Sequence, residues 1–592
     1  AATTNANSGV INLGTLAVTG SIALATNGNG DATVVNATGI EFAASDVNRN
    51  LSATATTGNI TQSGALDIEG TTTLVTTAQG ATIVLGTSTN AFTGAITITT
   101  NDNDPVDGTY AAHVTIDGGT TALVIAASTI DGDLTLTSGN ASGITDSGTV
   151  TVGRNLAATT NANSGVINLG TLAVDGTMAL TTHAGGAATV VNDAAIDFAA
   201  STVRGALHAT ATAGDIEQSG ALTITGVTTI VAGTSNNITL TTSTNDFQDE
   251  VRITSGNDVR LVDANAIDLG ASTVSGLYAV TATAGGGITD SGVLAITGTS
   301  TFTVAGGQSV ILNESSTFST VTFASAGTIA SVEINDSNTL DLGALAVASN
   351  LTVTAGGAVT NSGTLVVPGT ATISASGHNV TLNTATNNFG TAVLTGADVS
   401  IRDTDAIILG ASTVSGALSA TATTGNITQS GALDIEGTTT LVTTAQGATI
   451  VLGTSTNAFT GAITITTNDN DPVDGTYAAH VTIDGGTTAL VIAASTIDGD
   501  LTLTSGNASG ITDSGTVTVG RNLAATTNAN SGVINLGTLA VTGSIALATN
   551  GNGDATVVNA TGIEFAASDV NRNLSATATT GNITQSGALD IE

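Results

Sequence analysis

Clustered carboxylates are the residues in this sequence whose type and spacing best suggest chemistry. The stretch TNDNDPVDG places Asp102, Asp104 and Asp107 within six residues, beside Gly108, and the same letters return with Asp469, Asp471 and Asp474. Several carboxylate and carbonyl oxygens on a flexible loop are what a hard cation requires, so weak Ca²⁺ binding at these six aspartates is the metal chemistry the sequence permits. The spacing does not complete an EF-hand, because no bidentate Glu follows at the required distance. The Gly- and Asp-rich nonapeptide of calcium-binding β-rolls is also missing. A plain solvated excursion is the simpler reading of both loops. No other cofactor is implied.

Histidine offers less. His208 stands where other copies of the same segment have Ser52 and Ser419, and His183 stands where one has Asn27. His113 and His480 are copies of one position, and His378 has no evident partner. Side chains that drift between copies within one chain are poor candidates for unique chemistry. Some β-helical enzymes cleave acidic polysaccharides with Ca²⁺-binding aspartates and a Lys or Arg base. Here Lys is absent, Arg49 and Arg154 simply recur as Arg572 and Arg521, and no acidic cluster occurs once only. The chain is therefore expected not to be an enzyme. Without Lys, isopeptide crosslinks from Lys to Asn or Asp are ruled out as well.

Composition narrows the partners. The 592 residues carry a formal charge of −37, and all eight basic residues are Arg. A phosphate backbone would be repelled, so nucleic acid is excluded as a partner. Like charge keeps long bodies apart and soluble. There is no Cys, so no disulfide framework holds the fold. Aliphatic runs such as ALVIAA at 122–127 fall far below the roughly 18 residues of a membrane span.

The elements that position these groups are repeats. Residues 51–174 recur unchanged at 418–541, residues 1–69 recur unchanged at 524–592, and an imperfect third copy of the opening begins at Ala157. The phrase G-x-I-T-x-S-G-x-[LV] serves as a ruler, its Ile or Val falling at Ile60, Ile144, Ile216, Ile288, Val359, Ile427, Ile511 and Ile583. The steps define a module of about 72 residues. Two steps are longer because each holds NDNDPVDGTYAA, at 101–112 and 468–479, read as protruding loops. Each module divides into three lines of about 22 residues, and within a line short apolar-polar alternations such as LTVT and VSI are separated by Gly, Asn, Asp or Ser. Alternation with period two means strands with one buried face.

Three short strands per line is the size of one coil of a parallel β-helix. The predicted fold is therefore all-β: a right-handed parallel β-helix (β-solenoid) with coils of about 20–25 residues, one continuous repeat region over residues 1–592. The chain accommodates about 26 such coils. Tandem immunoglobulin-like sandwiches are the alternative, but they usually centre on a large aromatic and carry linkers. This chain has no Trp, and its prolines are Pro105, Pro368 and Pro472. A solitary coil cannot bury enough surface to offset the entropy of ordering it, so repetition is the condition of folding.

Two patterns mark structural positions. T-N-x-F places Asn90 with Phe92, Asn245 with Phe247, Asn387 with Phe389 and Asn457 with Phe459. An Asn bonding its own backbone at a turn and a Phe filling the corner two residues on is the reading that follows. Between the copies starting at Ala1 and Ala157, Ile22 becomes Met178, Glu41 becomes Asp197 and Ser52 becomes His208, whereas Leu24, Val34, Ile40, Phe42 and Ile60 are unchanged at Leu180, Val190, Ile196, Phe198 and Ile216. Inward positions are held and outward ones drift.

The ruler phrase, the T-N-x-F corner and DTDAIILGASTVSG at 403–416 together resemble the repeat region of filamentous-haemagglutinin-like exoproteins. These are large right-handed β-helical adhesins that Gram-negative bacteria export by two-partner secretion. The resemblance implies an extracellular or cell-surface filament serving adhesion or biofilm matrix, with no site residue to carry over. The alternative function is the stalk of a surface adhesin whose binding tip lies outside this segment. Expected partners are further copies of the same repeats, joined end to end, and glycans of host or neighbouring cell surfaces. Capping repeats normally differ from interior ones, and neither terminal segment here does. The repeats are accordingly expected to continue past Ala1 and Glu592.

Overall fold

The computed structural model describes residues 1–102, 112–469 and 479–592. It comprises two compact units, Ala1–Val304 and Ala305–Glu592. In the first, Ala32–Asn36, Ile40–Phe42 and Ser45–Val47 form one coil, and Leu51–Ala55, Ile60–Gln62 and Leu66–Ile68 form the next. Ala32 pairs with Leu51, Ile40 with Ile60 and Ser45 with Leu66. The second unit repeats the plan: Val399–Asp403, Ile407–Leu409 and Ser412–Val414 lie against Leu418–Ala422, Ile427–Gln429 and Leu433–Ile435. Strands stack in this way into a β-solenoid of about 27 turns, counted over both units. No α-helix occurs among the described residues. A sandwich would need antiparallel sheets, whereas the ladders here are parallel.

Alternation in the sequence becomes alternation in burial. In Leu51–Ala55 the residues Leu51, Ala53 and Ala55 point inward, while Ser52 and Thr54 face out. The ruler residues Ile60, Ile144, Ile216, Ile288, Val359, Ile427 and Ile511 are all fully buried. Stacked like side chains, such as Ile40 on Ile60 on Ile83, form the core columns. One substitution between copies also lies in the core: Ile22 and Met178 are both buried. It is tolerated because Met conserves volume and adapts its shape. Glu41 and His208, by contrast, are exposed.

Once in each module two long strands follow one another. Ile96–Thr99 leads to Val114–Asp117, and Thr177–Thr181 leads to Ala188–Asn192. Val114 then pairs with Ile83 of a short strand, and Ile96 pairs with Ile125 of another. Long and short strands thereby exchange faces of the solenoid. The ruler phrase does not show this exchange, because it falls elsewhere in the module.

Candidate functional site: the polar corners

The solenoid carries its chemistry at the corners between strands. At the T-N-x-F corner, Asn90 is buried, its Oδ1 accepting from the Leu66 N–H (2.9 Å) and from Gln62 Nε2 (2.7 Å). Its Nδ2 donates to Gln62 Oε1 (2.9 Å), the Leu85 carbonyl (3.2 Å) and the Asp117 carbonyl (3.1 Å). One amide thus ties its own coil to the coils on either side. Asn245 with Gln218, Asn387 with Asn361 and Asn457 with Gln429 repeat the pairing. Phe92, Phe247, Phe389 and Phe459 fill the corner interior. The Asn was expected to bond its own backbone. It does so only in part, because Gln62 reaches it from 28 residues earlier.

A signal for this partner exists in the ruler itself. Where its fifth position is Gln or Asn, as at Gln62, Gln218, Asn361 and Gln429, a T-N-x-F corner follows one coil later. At Asp146 and Asp513 the position is Asp and N-L-G-T-L follows instead, whereas Asp290 is followed by neither motif. Asp146 then accepts from the N–H groups of Gly170 (3.0 Å) and Thr171 (2.6 Å). A carboxylate suits two backbone donors, and an amide suits another amide.

A second corner closes the strand that follows the face exchange. Asn36, Asn192 and Asn559 occupy it in three modules, and Asp263, Asp336 and Asp403 in three others. The register makes them equivalent, since each lies opposite an alanine one coil later: Ala55, Ala211, Ala578, Ala282, Ala355 and Ala422. All six are fully buried. Burial raises the Asp263 carboxyl above its ordinary range, opposed by N–H bonds from Asn265 and Phe247 and reinforced by Asp246. Burial likewise pushes Asp336 up to about 6 and, with Asp405 nearby, Asp403 up to about 7.

On the outside an Asp–Asn ladder runs along the coils. Asp133 Oδ1 accepts from the Asn155 N–H and Nδ2 (3.1 and 3.0 Å), and Asn155 Oδ1 accepts from the Thr177 N–H (2.9 Å). Arg49, Arg154, Arg260, Arg521 and Arg572 each approach a ladder aspartate within 4.0 Å. His113 Nδ1 accepts the Asp133 N–H (3.0 Å), and His480 does the same for Asp500 (3.0 Å), so both belong to this ladder.

The carboxylate loops are described only at their roots. The Asp102 N–H donates to Asp131 Oδ2 (2.7 Å) and the Asp469 N–H to Asp498 Oδ2 (2.8 Å). Asp104, Asp107, Asp471 and Asp474 lie outside the described residues. A cleft beside the first root is lined by Asp102, Asp131, Arg154, Asn155 and Asp175, whereas Thr542 replaces Asp175 at the second. Among the described residues no three potential ligands are grouped to hold a metal.

A family described as repeats of unknown function (DUF5649) matches residues 29–99, 185–254, 256–325, 329–395, 396–466 and 552–592. The chain belongs to this family. Each matched segment opens just before the strand that ends in the corner Asn or Asp: Ala32–Asn36, Ala188–Asn192, Val259–Asp263, Val332–Asp336, Val399–Asp403 and Ala555–Asn559. The family unit therefore coincides with the face exchange and its polar corner. Comparison with curated proteins and with solved structures finds no match.

Proposed function

We propose that this chain is the shaft of an extracellular or cell-surface filament serving adhesion or biofilm matrix, as the resemblance to filamentous-haemagglutinin-like exoproteins implies. The observation that carries the reading is what the duplication preserves. Segments 51–174 and 418–541 are identical, and they rebuild the same bonds between coils, Asn90 to Gln62 and Asn457 to Gln429, Asp102 to Asp131 and Asp469 to Asp498. A chain that copies its fit between coils adds length and leaves its chemistry as it was. The charge of −37 favours separate, soluble fibres. On this reading the partners are further copies of the repeat and surface glycans, and the chain is not an enzyme.

Deleting residues 51–417 provides the test, because Asn50 is then followed by Leu418, which begins the identical segment. Cells carrying the intact gene, no gene and this deletion are compared by electron microscopy of the surface and by attachment to glycan-coated plates. Surface fibres that shorten in the deletion, with attachment falling in step, are expected. Unchanged attachment with shorter fibres would favour the stalk of an adhesin. Protein confined to the cytoplasm, or full attachment without the gene, would defeat both readings.

A further inference from the structure

The six buried corners solve one problem with two side chains. Asn36 Oδ1 accepts the Val18 N–H (2.9 Å) while its Nδ2 donates to the Val18 carbonyl (2.8 Å). Asn192 treats Val174 in the same way (2.9 and 3.0 Å), as Asn559 treats Val541 (2.8 and 3.0 Å). The amide uses one acceptor and one donor to stand in for a neighbouring strand. At the other three corners the backbone bonds are all accepted ones. Asp263 takes N–H bonds from Phe247 (2.8 Å) and Asn265 (2.6 Å), and Asp403 takes them from Phe389 (2.8 Å) and Asp405 (2.9 Å). Asp336 Oδ1 accepts from Asn338 (3.1 Å) and, at 3.4 Å, from Phe318, while its Oδ2 is buried without a hydrogen-bond partner.

A neutral carboxyl offers a donor and an acceptor, as the amide does, whereas a carboxylate only accepts. Withdrawal from water disfavours the charged form. The neighbours do not compensate. Asp246 raises Asp263 by its nearby charge, and Asp405 raises Asp403 through a side-chain hydrogen bond and its charge. Of the two strands paired with that of Asp336, Val310–Ser316 carries Glu314 on its solvent side and Leu351–Ala355 carries no titratable group, while its own strand carries Glu333. Arg260 and Arg402 precede the corners on the outward side of their strands, and among the described residues neither forms an ion pair with Asp263 or Asp403.

We propose that Asp263, Asp336 and Asp403 make their coils tighten in acid: with these carboxyls neutral the corners bury no unpaired charge, as Asn36, Asn192 and Asn559 bury none, and ionisation loosens those three corners alone. The sign follows from the raised carboxyls. A group that holds its proton more firmly when folded stabilises the fold at low pH, and that contribution is lost as pH rises from about 4 through the folded values of about 6 for Asp336 and about 7 for Asp403.

Hydrogen exchange on the full chain tests this, at pH 5 and pH 8 with labelling times scaled to the intrinsic rates. The N–H groups of Asn338, Phe389 and Asp405 should open at least about tenfold more readily at pH 8, one pKa unit being tenfold, while those of Val174 and Val541 keep one value. The triple variant Asp263→Asn, Asp336→Asn, Asp403→Asn should abolish the difference. The single variant Asp403→Asn should remove it at its own corner only, which keeps the test open should the triple variant fold poorly. Equal protection at both pH values, or a pH dependence that survives the substitutions, would overturn the proposal.

Discussion

At the scale of the residue, one buried amide does more than any charged group on the surface. Asn90 joins three successive coils through Gln62, Leu66, Leu85 and Asp117. Replacing it with Ala strands several buried backbone groups at once, each worth about 1–3 kcal/mol. Asn90→Ala should therefore lower the local opening free energy of its coils by about 3 kcal/mol, read as faster exchange of the Leu66 N–H. Asn457, in an identical segment, supplies the control on the same chain, and the Leu433 N–H it accepts should not change. The outer Arg–Asp pairs are half exposed and contribute little by comparison. The T-N-x-F motif made Asn90 and Phe92 legible as corner residues. The ruler's Gln or Asn marks where such a corner follows, but that Gln62 meets Asn90 was not legible, because the pairing depends on how many residues the intervening turns consume.

At the scale of the element, the turns decide where each strand lands. Gly143 sits at φ +66°, and a Cβ there would lie 1.8 Å from the Val166 carbonyl oxygen one coil later. Both the left-handed backbone and the close approach of the next coil demand glycine. Gly143→Ala should cost about 3 kcal/mol or more, seen as lost exchange protection in Leu134–Ser138 and Ile144–Asp146, with Gly510 as the untouched twin. The strands themselves were plain from alternation, as LTLT at 134–137 shows. Their faces were not. Val114–Asp117 carries the alternation of a long strand yet stacks on the short strand Ile83–Leu85, because the preceding long strand Ile96–Thr99 has already occupied the other face.

At the scale of the whole molecule, net charge acts on every coil at once. With −37 charges and five Arg–Asp ladder contacts, mutual repulsion exceeds local pairing. Raising ionic strength from about 0.01 M to about 0.1 M shortens the screening length from about 30 Å to about 10 Å. Thermal unfolding at pH 8 should shift upward by a few degrees over that range, and a downward shift would mean that the ion pairs dominate. What this sequence determined by itself is everything set by local alternation and by copying: strands with one buried face, inward Ile and Val, a module of about 72 residues, and the parallel β-solenoid that such units must form to bury their faces. Only the tertiary structure decided which side chains meet across coils: Gln62 with Asn90, His113 with Asp133, and the corners where Asn36 and Asp403 prove equivalent. The physical reason is that a partner one coil away lies some twenty or more residues along the chain. Its register is the sum of every turn in between, and a single extra residue would present the opposite face.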